Sequence, residues 1–590
     1  MKQTASLLSG AILLAVAVFF VVSEESLKGR PGSGASASSS VLQAPAFVLQ
    51  APASIRHAPA PVRHAPAPSH GFPAPACEGC HGTSGGFVRE PDHLLNRRAP
   101  LDQSTWADSV QLETKCGACH LVPDPSELPT SRWRDAIINY MSKVMYYRRE
   151  APGFHVAPGD MSYTMWMRQT RDEWMDVLHY YLVFSAPGHD LPADPAVSGL
   201  QFETKAIGTM PASDGLPEIA NVNVVDLDED GRLEILVCDF ERHLVSLIRR
   251  ERGGWMEHDL SSIPYPGHTE IGDFNGDGRT DIVVANVGSS VPTDDLVGSV
   301  VLLTGGDSLQ FEASTLLEGV GRVADVRPGD FDLDGDLDFV VAVFGFLKEG
   351  EIGWLEQMDD GSYRYHRLSE KQGGVNVVPT DLNGDGRLDF IALISQQYEE
   401  VIAFINQSGG RFSERILFKA DQPTFGSSGI ELVDLDRDGD VDILYTNGDG
   451  FDLSTPMYRP YHGVQWLENH GQFRFVYHDL LRLYGAYKAV PGDVDGDGDL
   501  DVVVTSLISD WSDPERMSIL WLENDGRQHF TPHGIGNTPT SIITAAVADL
   551  DRDGRLDIVT GSMHMTPSDL RRGRVTLWSN AAPMERDSPR

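Results

Sequence analysis

From residue 200 onward, short apolar runs alternate with breaks of Gly and Asp. Runs of five or six Val, Ile and Leu bounded by turn residues are too short for helices and predict strands repeating to the end of the chain. Residues 77 to about 186 carry a different period. Thr170 is placed to cap a helix in which Trp174, Val177, Leu178, Tyr181 and Leu182 share one face, and Pro187 stops it. Residues 31–76 show neither period. They are rich in Pro, Ala and Ser, with near-repeats beginning at Gln43, Gln50, His57 and His64, and predict an extended stalk. His57, His64 and His70 read first as solvated linker residues, with metal binding or distal haem ligation as the alternative. At the front, residues 5–22 form a largely apolar run of 18, at the border between a signal-peptide core and a short membrane anchor. In either case the rest of the chain is expected outside the cytoplasm, in the periplasm or at the cell surface, secreted or anchored by that segment.

The expected organisation is therefore a signal peptide or anchor (1–24), a disordered stalk (25–76), a helical module (77–186), a linker (187–198), a strand-rich domain (199–580) and a tail (581–590).

A nine-residue pattern, Asp-x-Asp/Asn-x-Asp-Gly-x-x-Asp/Glu, occurs seven times in the strand-rich part, starting at Asp226, Asp273, Asp330, Asp381, Asp434, Asp493 and Asp549. The intervals of 47 to 59 residues suit one four-stranded propeller blade each. Each copy lies between two apolar strands, as where Asp493-Val-Asp-Gly-Asp-Gly-Asp-Leu-Asp501 leads into Val502-Val-Val-Thr. Positions 1, 3, 5 and 9 offer carboxylate or amide oxygens, position 7 a backbone carbonyl, and the Gly at position 6 allows a sharp turn. This is the donor set of a calcium loop. The expected ligands are Asp226, Asp228, Asp230 and Glu234; Asp273, Asn275, Asp277 and Asp281; Asp330, Asp332, Asp334 and Asp338; Asp381, Asn383, Asp385 and Asp389; Asp434, Asp436, Asp438 and Asp442; Asp493, Asp495, Asp497 and Asp501; and Asp549, Asp551, Asp553 and Asp557. Up to seven calcium ions are expected. Metal-free Asp/Gly turns are the bland alternative.

Trp354-Leu-Glu, Trp466-Leu-Glu-Asn and Trp521-Leu-Glu-Asn mark a third strand, and Phe311, Tyr363, Phe412, Phe473 and Phe530 a fourth. The last repeat stops short of its fourth strand. Residues 202–211 match residues 530–539 in spacing, so an N-terminal strand is expected to complete the last blade and close the ring. These features resemble the FG-GAP/VCBS repeats of integrin-α-like propellers over about residues 200–580, with the bacterial VCBS branch the more similar. The resemblance implies an all-β seven-bladed propeller with calcium loops on one face. On the other face it places longer loops between second and third strands: 291–298, 344–350, 449–462, 509–516 and 564–572. Phe451, Tyr458, Tyr461 and Trp511 there suggest a docking surface, against the alternative of a solvated loop face.

Five cysteines are present. Cys238, alone in an apolar stretch, reads as a small buried hydrophobe. The other four form Cys77-Glu-Gly-Cys80-His81 and Cys116-Gly-Ala-Cys119-His120. Both are c-type haem motifs, with thioethers from the thiols and a proximal nitrogen from the His. A zinc site, two disulfides and a redox dithiol compete. Zinc would use the four paired thiolates and leave both histidines idle. The second motif is followed by a Pro-rich turn, Trp133, Met141 and Met145. Residues 112–186 thus resemble a small all-α cytochrome c-like domain. The resemblance implies His120 as proximal ligand and a Met as distal ligand, with Met141 and Met145 the candidates and Met161, Met165 and Met167 open. The first motif, with His81, has no defined distal ligand. One haem c at least, and two in the full reading, are expected.

Charge narrows the partners. With 47 basic and 86 acidic residues the net charge is −39, which repels nucleic acid and anionic membranes. No catalytic constellation is recognisable, and pairs such as His564 with Asp569 are expected by chance. An exported haem c electron-transfer protein, whose calcium-stabilised propeller docks a redox partner, is the first expectation. A surface adhesion or ligand-binding propeller with accessory haem, and a propeller oxidoreductase passing electrons to its haem, are the alternatives.

Overall fold

The computed structural model describes residues 194–581, apart from 198–199, 210–215, 308, 347, 397, 421–424, 451–458, 460 and 565–570. The N-terminal apolar segment, the stalk and both Cys-x-x-Cys-His motifs with their methionines lie outside the described residues, as do Phe451, Tyr458 and Asp569.

Twenty-eight strands form seven four-stranded antiparallel sheets among the described residues. Blade one uses Ile219–Val225, Glu234–Asp239, Leu244–Glu251 and Gly254–Ser262 in spatial order. The first strands of blades two to seven are Pro266–Gly272, Val323–Gly329, Gly374–Thr380, Gly429–Val433, Ala486–Gly492 and Ile542–Ala548. First strands of neighbouring blades pack on one another around a complete circuit, blade seven against blade one included. The described residues form a seven-bladed β-propeller.

Burial follows position in the blade. Second strands such as Asp281–Asn286 and Asp389–Ile394 are buried along their whole length, because blades stack on both of their faces. Their sequences are accordingly continuous apolar runs. Fourth strands face solvent, and Phe412–Lys419 shows mostly exposed positions. Apolar clusters fill the spaces between blades: Phe274, Val283, Phe339 and Val341 join blades two and three, and Val503, Trp521, Ile558 and Trp578 join six and seven. Cys238 is free and buried, as its apolar setting predicts.

The ring closes as expected. Gln201–Ile207 pairs antiparallel with Val575–Ala581, from Gln201 opposite Ala581 to Ile207 opposite Val575, and becomes the fourth strand of blade seven. The preceding residues dock on blade six, where Gly534 N–H donates to the Ala196 carbonyl at 2.8 Å and Met517 N–H to Asp194 at 2.9 Å. One strand marker is displaced. The fourth strand of blade five starts at Phe475, and Phe473 sits in the preceding turn at φ +61° with the Arg415 guanidinium 4.5 Å over its ring. The turn after Trp466 is as long as that after Trp521, so Phe475 is the counterpart of Phe530.

A buried ion-pair cluster bolts the closing joint. Arg574 of blade seven donates to Asp239 at 3.0 and 2.8 Å and to Glu257 at 2.9 and 2.7 Å, both in blade one. Arg242 and Ser246 also donate to Glu257, at 2.7 and 2.6 Å. Burial alone would raise the Glu257 carboxyl, but these donors hold it down at about 2. Glu218, beside the same joint, has no such support. Burial first, then the charges of Glu241 and Asp239, push its carboxyl up to about 8.

Two predictions follow from this joint. Arg574→Ala strands two buried carboxylates and should cost about 3–5 kcal/mol in denaturant unfolding, unlike an exposed arginine. Glu218 keeps its proton in the folded chain between pH 4.5 and 8 while the unfolded chain loses it, so stability falls as pH rises through that window. Glu218→Gln should flatten this slope and gain on the order of 1 kcal/mol at pH 8, measured as unfolding midpoints at pH 5 and 8.

Candidate metal sites on the loop face

Each nine-residue pattern forms the turn between the first and second strands of its blade, so all seven lie on one face. The turns share one internal geometry. The position-1 carboxylate accepts the position-6 N–H in blades one, two, four, five and seven, at 2.8 to 3.1 Å. The position-5 carboxylate accepts the position-7 N–H in all seven, at 2.8 to 3.0 Å. Position 6 adopts φ between +80° and +102°, which explains its invariant Gly across the repeats. Position 4 is also left-handed, although four blades place Glu229, Leu333, Arg437 and Arg552 there.

These bonds gather the predicted oxygens. One ligand atom each from Asp226, Asp228 and Asp230 lie within 4.8 Å of one another, as do those of Asp330, Asp332 and Asp334; Asp434, Asp436 and Asp442; Asp493, Asp495 and Asp497; and Asp549, Asp551 and Asp553. In blades two and four position 3 is Asn275 or Asn383, whose amide oxygen accepts the position-5 N–H at 2.9 Å. Oδ1 of Asp226, of Asp330 and of Asp434 is buried with no hydrogen-bond partner. A buried carboxylate oxygen without a donor is costly, and a cation is the partner this surrounding of oxygens can accept. Burial and neighbouring carboxylates, among them Glu356, Glu468 and Glu523, push Asp332, Asp436 and Asp495 above their ordinary range. The donor set fits a hard divalent cation.

The ninth-position acid has a second duty that the spacing did not reveal. In blades two to six one of its oxygens accepts the position-2 N–H of its own loop, at 2.9 to 3.3 Å. The other accepts an N–H at the end of the third strand: Gly305, Gln357, Asn406, Asn469 or Asn524, at 2.7 to 2.9 Å. Asn580 does the same for Asp557 in blade seven at 3.0 Å. In blade one Glu234 accepts from Leu227 N–H at 3.0 Å. Burial pushes these acids up, to about 7 for Asp338 and Asp501 and about 6 for Asp389, Asp442 and Asp557.

Position 2 carries the loop into the ring. Its apolar side chain enters the joint with the next blade: Phe274 meets Phe339 at 5.1 Å between ring centroids, and Phe331 meets Phe390 at 6.1 Å. Leu435 and Val494 enter the clusters joining blades five to six and six to seven. Loop order and blade packing are therefore one mechanical unit.

On the opposite face, two of the aromatics in the loops between second and third strands lie among the described residues. Tyr461 stacks on Phe425 at 5.9 Å, and Trp511 lies 5.7 Å beneath the Arg571 guanidinium. Both are half-buried by local packing. His564 is buried, its Nε2 3.1 Å from Gly573 N.

With this geometry in view, the FG-GAP-like repeat family matches residues 273–341, 381–445 and 493–560. The chain carries FG-GAP-like repeats. The matched stretches take in the loops of blades two and three, four and five, and six and seven. No curated protein matches the chain. Similar solved structures include two described as crystal structures of BBS1N in complex with ARL6DN, one soaked with mercury and one with lead. They share 10% and 11% identity, cover 65% of this chain and 98% of theirs, and have TM-scores of 0.41 and 0.39.

The position-4 conformation in the FG-GAP-like loops gives a direct test. Leu333 holds φ +65° with its side chain 59% exposed, so it carries left-handed strain without compensating burial. Leu333→Gly should stabilise the propeller by about 1 kcal/mol in thermal unfolding, whereas Leu435→Ala should destabilise it by about 2–5 kcal/mol.

Proposed function

We propose that the protein is an exported electron-transfer protein: a c-type haem module carried on a calcium-stabilised propeller that docks its partner. The observation that carries this reading is the presence, in one chain, of two Cys-x-x-Cys-His motifs and seven oxygen-lined loops in register. Cys77, Cys80, Cys116 and Cys119 would attach two haems, with His81 and His120 as proximal ligands and Met141 or Met145 as distal ligand to the second. Bound haem supplies one-electron chemistry; the chain's own part is to ligate it and hold it near a partner. The apolar segment ahead of the stalk supports export, where haem attachment takes place.

Calcium has a structural role in this reading. Each ion would neutralise a loop whose position-2 side chain enters the next joint, so that removing calcium loosens the ring as well as the turns. The partner is a redox protein or surface ligand bound on a propeller face. Nucleic acid is disfavoured by the net charge of −39.

The absorption spectrum of the purified protein, with a pyridine haemochrome assay, should give two c-type haems per chain; a count of zero ends the electron-transfer reading. Haem-dependent electron exchange with a soluble cytochrome should be lost in His120→Ala, and partner binding that persists unchanged would favour the adhesion reading. Chelation should lower the melting temperature by ten degrees or more, on the order of several kcal/mol lost across the loops. An unchanged melt removes calcium from the account.

A further inference from the structure

The seven loops fall into two groups when each is compared with the third strand of its own blade. Position 7 is Asp336, Asp440 and Asp499 in blades three, five and six, and Arg232, Arg279, Arg387 and Arg555 in blades one, two, four and seven. The third strand divides in the same way. At equivalent registers, blades three, five and six carry Glu356, Glu468 and Glu523. The other four carry Arg249, Thr304, Ile405 and Ser579 there. Over the nine loop residues and this one, the formal charge is −6, −5 and −6 in blades three, five and six. It is −3, −2, −2 and −2 in blades one, two, four and seven.

The third-strand acids are held in place. Glu356, Glu468 and Glu523 each lie 2.7 Å from Nε2 of His366, His478 or His533 on the fourth strand. Each of these imidazoles is stacked on the Trp that precedes the acid by two residues, with centroids 4.7 to 5.0 Å apart. A carboxylate so positioned adds to the negative potential at the position-3 aspartate of its loop.

In the other group, arginines already occupy that potential. The Arg387 guanidinium pairs with Asp385 and the Arg555 guanidinium with Asp553, and these are the position-5 ligands themselves. Their Nε atoms are anchored on the Asn406 and Asn580 carbonyls at 3.0 and 2.8 Å. Arg249 stands 3.7 Å from the position-3 Asp228, and Arg279 is 3.3 Å from Asp307. A guanidinium stays charged at any physiological pH, so an incoming cation must compete with it.

We propose that the propeller has two classes of calcium site: three tight ones in blades three, five and six, and four weak ones, screened by their own arginines, in blades one, two, four and seven. This rests on the calcium reading above. Affinity in oxygen-lined loops rises with the charge of the site, and the difference of two to four charges within one loop separates the classes by about tenfold or more. At limiting calcium the tight sites fill first. The weak sites then respond to calcium concentration.

The test is calorimetric titration of the chelator-stripped full chain with calcium chloride, alongside thermal melts. The wild-type isotherm should resolve three tight sites before the weak ones. Asp336→Arg/Asp440→Arg/Asp499→Arg should weaken the tight class, and Arg555→Asp/Ser579→Glu, which brings blade seven to −5, should raise it from three sites to four. The second variant decides the matter if the first fails to fold. Seven equivalent sites, or a tight class that Arg555→Asp/Ser579→Glu leaves unchanged, would overturn the proposal while leaving calcium binding intact. Absence of any binding heat together with an unmoved melt would overturn both.

Discussion

The buried acid at the end of each loop is the constraint on which the propeller turns. It must sit within the blade to receive the third-strand N–H, and it must face the loop to receive the position-2 N–H. Both bonds are charge-assisted, and both lie where water cannot substitute for them. In blades two to six the same residue therefore fixes the entry of the second strand, the end of the third and the start of the loop. The cost is a concentration of negative charge at the rim of every blade. In some loops that cost is met within the chain by arginine. In blades three, five and six the arginine position holds an aspartate instead.

Ring closure uses a different kind of interaction. The last blade borrows Gln201–Ile207 from the front of the domain, which removes the open edge that an incomplete sheet would expose. Hydrogen bonds between strands give that joint register, and Arg574 gives it a specific partner in blade one. Removing the guanidinium would be severe because the acids it serves are already desolvated. Glu218 illustrates the converse: a carboxyl near the same joint without a cation is driven toward its neutral form.

The two faces of the ring differ in chemistry. The loop face presents carboxylates in a circle and is shaped by charge. The opposite face is shaped by packing, with Tyr461 on Phe425 and Trp511 beneath Arg571. Of the four aromatics that suggested a docking surface there, Tyr461 and Trp511 are described, and each keeps part of its surface exposed beside its packing partner.

Local spacing was enough to read the seven loops, the strands on either side and the match between residues 202–211 and 530–539, because a turn, its glycine and its acids lie within nine residues. It was also enough to place the third strands at Trp354, Trp466 and Trp521. It could not reveal that the ninth acid clasps the third strand, that a histidine on the fourth strand holds Glu356, Glu468 and Glu523, or that Arg574 meets Asp239. Those partners are about 10 to 335 positions apart in the chain, and only strand register and ring curvature bring them together. The acids of each loop are thus written in the sequence, whereas the electrostatic setting of each acid is decided by the tertiary structure, since charge acts through distance in space.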